Sequence, residues 1–177
     1  MISAALAMLE TDEQRQILSE FYEENKNRFY SIAVSKLKNP ELAEEAVQET
    51  FLRIVKYPDR FYQIEPHKKL PYAIIIIRNV ILQMLSKDNM ESFDELTEDI
   101  PDQAMSVEDK VIGRISGDEL MNFIRSLPEA KKQALILKGV YGLSTREMAG
   151  VLGITESAVR RRIADAYGKV LRFVREG

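Results

Sequence analysis

The chain has 177 residues, of which 45% are hydrophobic and 30% charged, and it contains no cysteine, no tryptophan and one histidine. This length suits one ordinary domain or two small ones, and the apolar content is sufficient for packed cores. The absence of cysteine excludes a disulfide scaffold, a cysteine zinc site and a cysteine nucleophile, and the single His67 leaves little material for a metal cluster or a histidine-based triad. The formal net charge of −3 does not by itself suggest a nucleic-acid-binding protein.

The charge is distributed unevenly along the chain. Residues 1–87 carry 12 basic and 12 acidic side chains, residues 88–119 carry 2 basic and 11 acidic ones, and residues 120–177 carry 11 basic and 5 acidic ones. The chain therefore consists of a neutral block, an acidic connector and a basic block. Such asymmetry within one chain indicates a nucleic-acid partner.

Helical patterns dominate the neutral block. The sequence Thr11-Asp-Glu-Gln14 is a capping box that predicts the start of a helix. Asn39 and Pro40 suit the cap and the first position of a second helix, and Pro58 is expected to end it.

A loop and one further helix are expected to complete this block. The polar and aromatic residues 59–69 predict the loop, and residues 71–86 predict an apolar helix. The most apolar run, residues 70–85, contains Arg78 and Asn79 and is shorter than the roughly 20 residues that cross a bilayer, so a buried helix is favoured over a membrane span. The apolar start, Met1 to Leu9, lacks the cationic residues of a secretion signal, so a cytoplasmic protein is expected.

The connector shows neither helical nor strand periodicity. Residues 86–103 therefore predict a linker, and we expect domains at 1–87 and 107–177 on either side of an acidic linker at 88–106. Two interpretations of the acidic charge stay open. It either only keeps the linker solvated, or it competes with nucleic acid for basic surface on the same chain.

The basic block predicts a helix-turn-helix. Helices are expected over residues 107–127 and from Pro128 to Lys138, and Ser144-Thr-Arg-Glu147 is a second capping box. A tight turn at Gly153 and a cap at Thr155 then lead into a last helix that ends near Val174. The residues expected to fill the space between the two helices of the motif are Met148, Leu152, Ile154, Val159 and Ile163. Both DNA binding and ordinary helical packing are compatible with this pattern.

With both blocks in view, the chain resembles the bacterial sigma-70 family, in its small two-domain extracytoplasmic-function (ECF) type. The first block is similar to sigma domain 2 in the stretch NPELAEEAVQETFLR, residues 39–53, and in LPYAIIIIRNV, residues 70–80. The second block is similar to sigma domain 4 from Leu127 to Val159. The resemblance implies an all-α protein, a domain 2-like helical bundle and a domain 4-like helix-turn-helix joined by the acidic linker.

The resemblance also implies function and partners. It implies a promoter-specificity subunit without cofactor or enzymatic activity, which binds core RNA polymerase through the clamp helices of the largest subunit and the flap of the second subunit. Promoter DNA is the other implied partner, and an anti-sigma factor is a further candidate. The residues that match the family's polymerase-docking helix are Glu45, Gln48, Glu49, Leu52 and Arg53.

Two sets of residues match the DNA-reading positions of the family. For the −10 element, where cations hold phosphates and rings hold unstacked bases, they are Arg60, Phe61, Tyr62, His67, Lys68, Lys69, Tyr72, Arg78 and Asn79. Core packing is an equal alternative for Phe61 and Tyr62. For the −35 element, read by the last helix in the major groove, they are Arg146, Thr155, Glu156, Ser157, Arg160, Arg161, Arg162, Lys169 and Arg172. Because consecutive residues turn around a helix, Arg162 is expected to point sideways.

One departure from the family pattern keeps a second function open. Where many relatives carry a basic tail after domain 2, this chain has SKDNME at residues 86–91, with Lys87 as its one cation. A sigma-like regulator that binds DNA but no longer melts promoters is therefore the alternative. An enzyme is disfavoured, because the sequence contains no phosphate-cradling glycine loop and no spacing that pairs carboxylates for acid–base or metal chemistry.

Overall fold

The computed structural model describes residues 2–87 and 115–176 and is all-α, with no strand in these two ranges. Its helices are α1 Ser3–Ala7, α2 Asp12–Leu37, α3 Pro40–Val55, α4 Pro58–Gln63, α5 Pro66–Lys87, α6 Gly117–Ser126, α7 Glu129–Gly139, α8 Thr145–Leu152 and α9 Glu156–Glu176. The chain divides into two compact units, one built around α1–α5 and one around α6–α9. The predicted fold class is therefore confirmed, while the acidic linker at 88–106 lies outside the described residues.

Two of the helix starts predicted in the first unit, those at Thr11 and Asn39, are confirmed by side-chain caps. The Thr11 hydroxyl accepts a hydrogen bond from the Gln14 backbone N–H at 3.1 Å, and the Gln14 side chain accepts one from the Thr11 N–H. Asn39 Oδ1 accepts from the N–H groups of Glu41 and Leu42 at 2.9 and 3.1 Å. These bonds satisfy backbone donors that the first turn of a helix leaves without partners.

The loop predicted at residues 59–69 is wrong. The segment folds as the short helix α4 and as the first turn of α5, and each of these helices begins at a proline, Pro58 and Pro66. Proline suits a first helical position because its missing N–H has no partner there. Pro71, which was expected to start the apolar helix of this unit, instead lies inside α5.

Aromatic rings from three helices form the centre of the first core. Phe21 lies 6.0 Å from Phe29, 6.2 Å from Phe51 and 5.2 Å from Phe61, measured between ring centroids. Phe29, Phe51 and Phe61 are fully buried. Rings at these separations and tilts interact favourably beyond the area that they bury, so this cluster fixes α2, α3 and α4 against one another.

Helix α5 completes this core. Within the described residues, Pro66–Ser86 is the one segment long and apolar enough to span a membrane by length and composition alone. Its Tyr72, Ile76 and Ile77 are fully buried, and the helix packs against α2 and α3. The apolar run therefore serves the core of a helical bundle, in agreement with the prediction of a buried helix.

A short N-terminal helix covers one side of the bundle. Ile2, Ala5 and Leu9 are 6%, 1% and 2% exposed, and α1 packs on α2 and α3. Arg15 also donates a hydrogen bond from Nη2 to the Leu9 carbonyl at 2.6 Å. The apolar start of the chain is thus part of the first unit.

The second unit is organised by α9, which packs against α6 and α7. A capping box starts α6: the Ser116 N–H donates to Glu119 Oε2 at 3.0 Å, and the Glu119 N–H donates to Ser116 Oγ at 3.2 Å. The prediction of one continuous helix over residues 107–127 is wrong, because the backbone of Ser116 is extended and the helix begins at Gly117. Residue 107 itself lies outside the described residues. Phe123 of α6 stacks on Phe173 of α9 with centroids 4.1 Å apart, which joins the two helices at the C-terminal end of α9.

Candidate functional site

The predicted helix-turn-helix is formed by α8 and α9. The Ser144 N–H donates to Glu147 Oε2 at 2.8 Å, and the Glu147 N–H donates to Ser144 Oγ at 3.2 Å, which closes the capping box at the start of α8. Gly153 lies in the turn with a φ of 66°, a left-handed conformation that favours glycine. The Thr155 hydroxyl accepts from the Ala158 N–H at 3.1 Å and caps α9.

The apolar residues of this motif are buried largely as predicted. Met148, Leu152, Val159 and Ile163 are fully buried, whereas Ile154 is half-buried. This burial fixes which side of α9 faces the core and which side remains for a partner.

Three arginines near the start of α9 lie on different sides of the helix. Because each residue turns by about 100°, Arg161 lies opposite the buried Val159 and Ile163, in line with the exposed Arg172. Arg160 and Arg162 lie on the two flanks of the helix. For Arg162 this is the sideways position that the turn per residue predicts. We call the side that carries Ser157, Arg161 and Arg172 the outward face of α9.

The other residues predicted to read the −35 element surround this face. Glu156 lies 3.6 Å from Arg160 in an i,i+4 ion pair that holds Arg160 near the start of the helix. Thr155, Glu156 and Lys169 are exposed on the turn and on α9. Arg146 is exposed on α8, the first helix of the motif. The arrangement presents cations along α9 and at the start of α8, which suits contact with phosphates and base edges.

The face of α3 that carries most of the predicted polymerase contacts is acidic and apolar. Glu45 and Gln48 are exposed and Glu49 and Leu52 are half-exposed, and all four lie on one side because their spacing is i, i+3, i+4 and i+7. We call these four residues the docking face. Leu42, 37% exposed, lies beside Glu45 and Glu49 and extends the face; its i+3 and i+7 spacing in the sequence was the signal for it.

Arg53 lies apart from the docking face, although the resemblance grouped it there. The residue is buried, and its Nε donates to Glu49 Oε1 at 2.8 Å. Its Nη2 donates to Gln83 Oε1 of α5 at 2.6 Å. Arg53 thus joins the edge of the docking face to the C-terminal end of α5. Sequence reasoning missed Gln83, whose signal was its position one turn after Asn79 in an apolar helix.

The residues predicted to hold the −10 element fall into two groups. Arg60, Tyr62, Lys68 and Lys69 are half-buried and His67 and Arg78 are exposed, so part of each side chain reaches the surface. Phe61, Tyr72 and Asn79 are instead buried. For Phe61 this location favours the core-packing alternative.

The hydrogen bonds of two of these residues show how they are held. The Asn79 amide donates to the Ile75 carbonyl at 2.8 Å within its own helix, and the Tyr62 hydroxyl donates to the Gln14 carbonyl of α2 at 2.7 Å. Burial raises the pKa of Tyr62 to about 12. The hydrogen bond of the Tyr62 hydroxyl therefore joins α4 to α2. The ring is the part of this side chain that remains for contact with a partner.

Lys69 is held over the aromatic rings of α4. Its Nζ lies 5.0 Å from the ring centroid of Phe61 and 5.8 Å from that of Tyr62, within range of a cation–π interaction. Burial lowers the pKa of Lys69 from its usual value. The rings thus position a partly desolvated cation among the other cations of the predicted −10 surface. Within the described ranges, no group of three or more histidine, aspartate or glutamate side chains is placed to hold a metal ion.

Comparison with known proteins gives matches for both units. Residues 21–90 match the family model of sigma-70 region 2, and residues 117–170 match that of sigma-70 region 4. The chain is similar to an uncharacterized protein of Rhizobium meliloti, at 28% identity over 141 residues that make up 75% of this chain and 33% of that protein.

Two similar proteins are ECF RNA polymerase sigma factors by name. SigE of Mycolicibacterium smegmatis is 26% identical over 147 residues, which cover 81% of this chain and 56% of SigE. EcfG of Rhodopseudomonas palustris is 26% identical over 147 residues, which cover 79% of this chain and 75% of EcfG. The chain thus spans about a third to three quarters of the length of these relatives.

Proposed function

Since the chain belongs to the sigma-70 family, in its ECF type, we propose that it is a sigma factor, a subunit without enzymatic activity that directs RNA polymerase to particular promoters. The observation that carries the proposal is the occurrence of both matches on one chain, region 2 at 21–90 followed by region 4 at 117–170. A subunit that reads two promoter elements needs both regions. It would work in the cytoplasm, where RNA polymerase acts.

The docking face of α3 is the proposed contact with the clamp helices of the largest polymerase subunit. Glu45 and Glu49 supply negative charge, and Leu42 and Leu52 supply partly exposed apolar surface beside it. An acidic face with apolar side chains suits a partner that is basic and apolar. The buried side of α3 holds this face rigidly, because Ala46, Phe51 and Ile54 are committed to the core. The second unit would contact the flap of the second subunit.

The surface formed by α4 and the first half of α5 is the proposed site for the −10 element. Arg60, His67, Lys68 and Arg78 would contact phosphates, and Lys69 would do so from its position over the rings of α4. Tyr62 offers a half-buried ring to an unstacked base. The buried Phe61, Tyr72 and Asn79 would act by supporting this surface.

Helix α9 is the proposed reader of the −35 element. In a helix-turn-helix, the second helix enters the major groove and its N-terminal residues contact base edges. Arg161 lies centrally on the outward face, and Arg160 lies one turn after Glu156 on its flank. We assign base or adjacent phosphate contacts to these residues with Ser157, and backbone contacts to Arg146, Arg162, Lys169 and Arg172.

The two DNA contacts gain strength from polymerase. Each unit alone offers a small cationic surface, and a contact of this size is weak and salt-dependent. When the core enzyme fixes both units, binding of the second element becomes intramolecular and is strengthened by the effective concentration. The free chain should therefore bind promoter DNA poorly.

Reconstitution tests the proposal. The purified chain is added to core RNA polymerase, and transcripts from genomic DNA fragments are mapped. We expect initiation at a defined set of promoters that core enzyme alone does not use. Absence of initiation on any genomic fragment would contradict the proposal.

A second candidate is a sigma-like regulator that binds DNA without melting it. The observation in its favour is the sequence of residues 86–91, where Lys87 is accompanied by Asp88 and Glu91 instead of further cations. Tight duplex binding by the free chain, without core enzyme and without initiation, would favour this function. An anti-sigma factor is a further candidate partner of the chain under either of these two functions.

A further inference from the structure

Arg53 joins the docking face to α5, the helix whose first half belongs to the proposed −10 surface. It extends from α3, where its Nε donates to Glu49 Oε1 at 2.8 Å at the edge of the docking face. Its Nη2 donates to Gln83 Oε1 at 2.6 Å on α5, the helix that also carries Arg78 of the −10 surface. One guanidinium thus bonds to the proposed polymerase contact and to the proposed DNA-reading helix.

The guanidinium group is suited to this double contact. It has five N–H donors in a rigid planar fork, so it can donate to two acceptors on different helices at once. The Arg53 side chain is 9% exposed, whereas that of Glu49 is 40% exposed. Arg53 is therefore held inside the unit, while its carboxylate partner remains reachable from outside.

The contact lies in a mainly apolar interface. Helix α3 packs against α5, and Val80 and Ile81 of α5 and Ile54 and Val55 of α3 are buried. Apolar burial is non-directional, so by itself it sets the position of one helix along another less sharply than a hydrogen bond does. A directional bond between Arg53 and Gln83 has a narrower range of distances and angles. It therefore fixes the position of the C-terminal half of α5 relative to α3.

We propose that Arg53 is a positioning residue that couples the docking face to α5 through the chain Glu49–Arg53–Gln83. Contact of polymerase with the Glu49 carboxylate changes how strongly Glu49 holds Arg53, and Arg53 passes this change to Gln83. Engagement of polymerase thereby sets α5 for opening of the promoter strands. This inference rests on the proposed function of the chain and adds a coupling between its two surfaces.

Gln83→Leu is the first test variant. It replaces the whole Gln83 amide, including the Oε1 that accepts from Arg53, with an apolar side chain of similar size, and it leaves all four residues of the docking face intact. Gln16→Leu is the matched control, because Gln16 is exposed on α2 and bonds to Glu20 of the same helix. Both variants of the full chain are assembled with core polymerase, and three quantities are measured: affinity for core, transcription from a duplex promoter, and transcription from the same promoter with its start region already unpaired.

We expect a selective defect. Gln83→Leu should bind core within about twofold of the original chain and lose roughly tenfold in transcription from the duplex, as for loss of one charge-assisted hydrogen bond. The defect should largely disappear on the unpaired template, and Gln16→Leu should behave as the original chain on both templates.

Arg53→Lys keeps the buried charge but lacks the fork that reaches two acceptors, and it provides a second measurement if Gln83→Leu fails to fold. It should show the same selective loss on duplex. Equal losses on both templates, a loss in core affinity alone or no loss at all would overturn the coupling. Failure of the original chain itself to initiate on either template would instead contradict the proposed function.

Discussion

Helices α3 and α9 are similar on their buried sides and opposite in charge on their outward sides. Both bury an apolar stripe, with Ala46 and Phe51 in α3 and Val159 and Ile163 in α9. The docking face of α3 is acidic and apolar, whereas the outward face of α9 carries Arg161 and Arg172. The apolar period therefore determines how each helix packs, and the remaining charge determines which class of partner it suits.

The largest expected effect tests the buried side of α3. Phe51→Ala removes a fully buried ring that lies 5.6 Å from Phe29 and 5.3 Å from Tyr22, and it should lower the free energy of unfolding by about 3–5 kcal/mol. The neighbouring Leu52→Ala, on the docking face, should lower it by no more than about 1 kcal/mol. Urea denaturation of the full chain measures both. Similar losses for the two variants would show that the faces of α3 are assigned wrongly.

The second prediction concerns the outward side of α3. Glu45→Lys reverses a charge at the centre of the docking face and should weaken binding to core polymerase by about 2 kcal/mol or more, as for a central interface residue. Glu20→Lys makes the same reversal on the exposed side of α2 and is the control. Titration of labelled chain with core enzyme measures both affinities. An equal loss of affinity in the two variants would show that binding responds to overall charge and not to a specific contact at the docking face.

The third prediction compares arginines on α9. Arg161→Ala should weaken binding of holoenzyme to a promoter by about 1–3 kcal/mol, and the loss should depend on the −35 sequence if Arg161 contacts a base. Arg162→Ala, on the flank, should cause a smaller loss that is the same for every sequence. Binding to a set of −35 variants at one salt concentration gives the comparison. If binding depended more on the −35 sequence through Arg162 than through Arg161, the flank that carries Arg162, and not the outward face, would read the DNA.

The smallest expected effects concern two glycines of the second unit. Gly142 has a φ of 64° and no heavy atom within 4 Å of an added Cβ, so Gly142→Ala should cost about 1–2 kcal/mol of stability through backbone strain alone. Gly168 is helical in α9 with the same open surroundings, and Gly168→Ala should stabilise the chain by about 0.5–1 kcal/mol. Thermal unfolding shows whether the two changes have opposite signs.

The sequence was sufficient to predict the elements that depend on local signals. The caps at Thr11, Asn39, Ser144 and Thr155 and the turn at Gly153 are confirmed, because each needs one side chain or one backbone angle to act on the next few residues. The loop at 59–69 was predicted wrongly since prolines spaced along a polar segment are as typical of successive helix starts as of a loop.

The site could be predicted only in part, because burial of individual side chains depends on packing between helices. Phe61 and Tyr62 are adjacent and were treated alike, yet Phe61 enters the aromatic core while Tyr62 stays half-buried with its hydroxyl bonded to Gln14. The same limit applies to Arg53, whose partner Gln83 is distant in sequence. Periodicity identifies the side of a helix, but not the side chain from another helix that meets it.

The most direct test of the account is the affinity of one promoter fragment for the free chain and for the chain assembled with core polymerase, at the same salt concentration. If each unit makes a weak DNA contact and polymerase holds both units so that they bind at the same time, the holoenzyme should bind the fragment at least about a hundredfold more tightly than the free chain does. Mutation of either promoter element should remove most of that gain. Equally tight binding by the free chain would contradict the account.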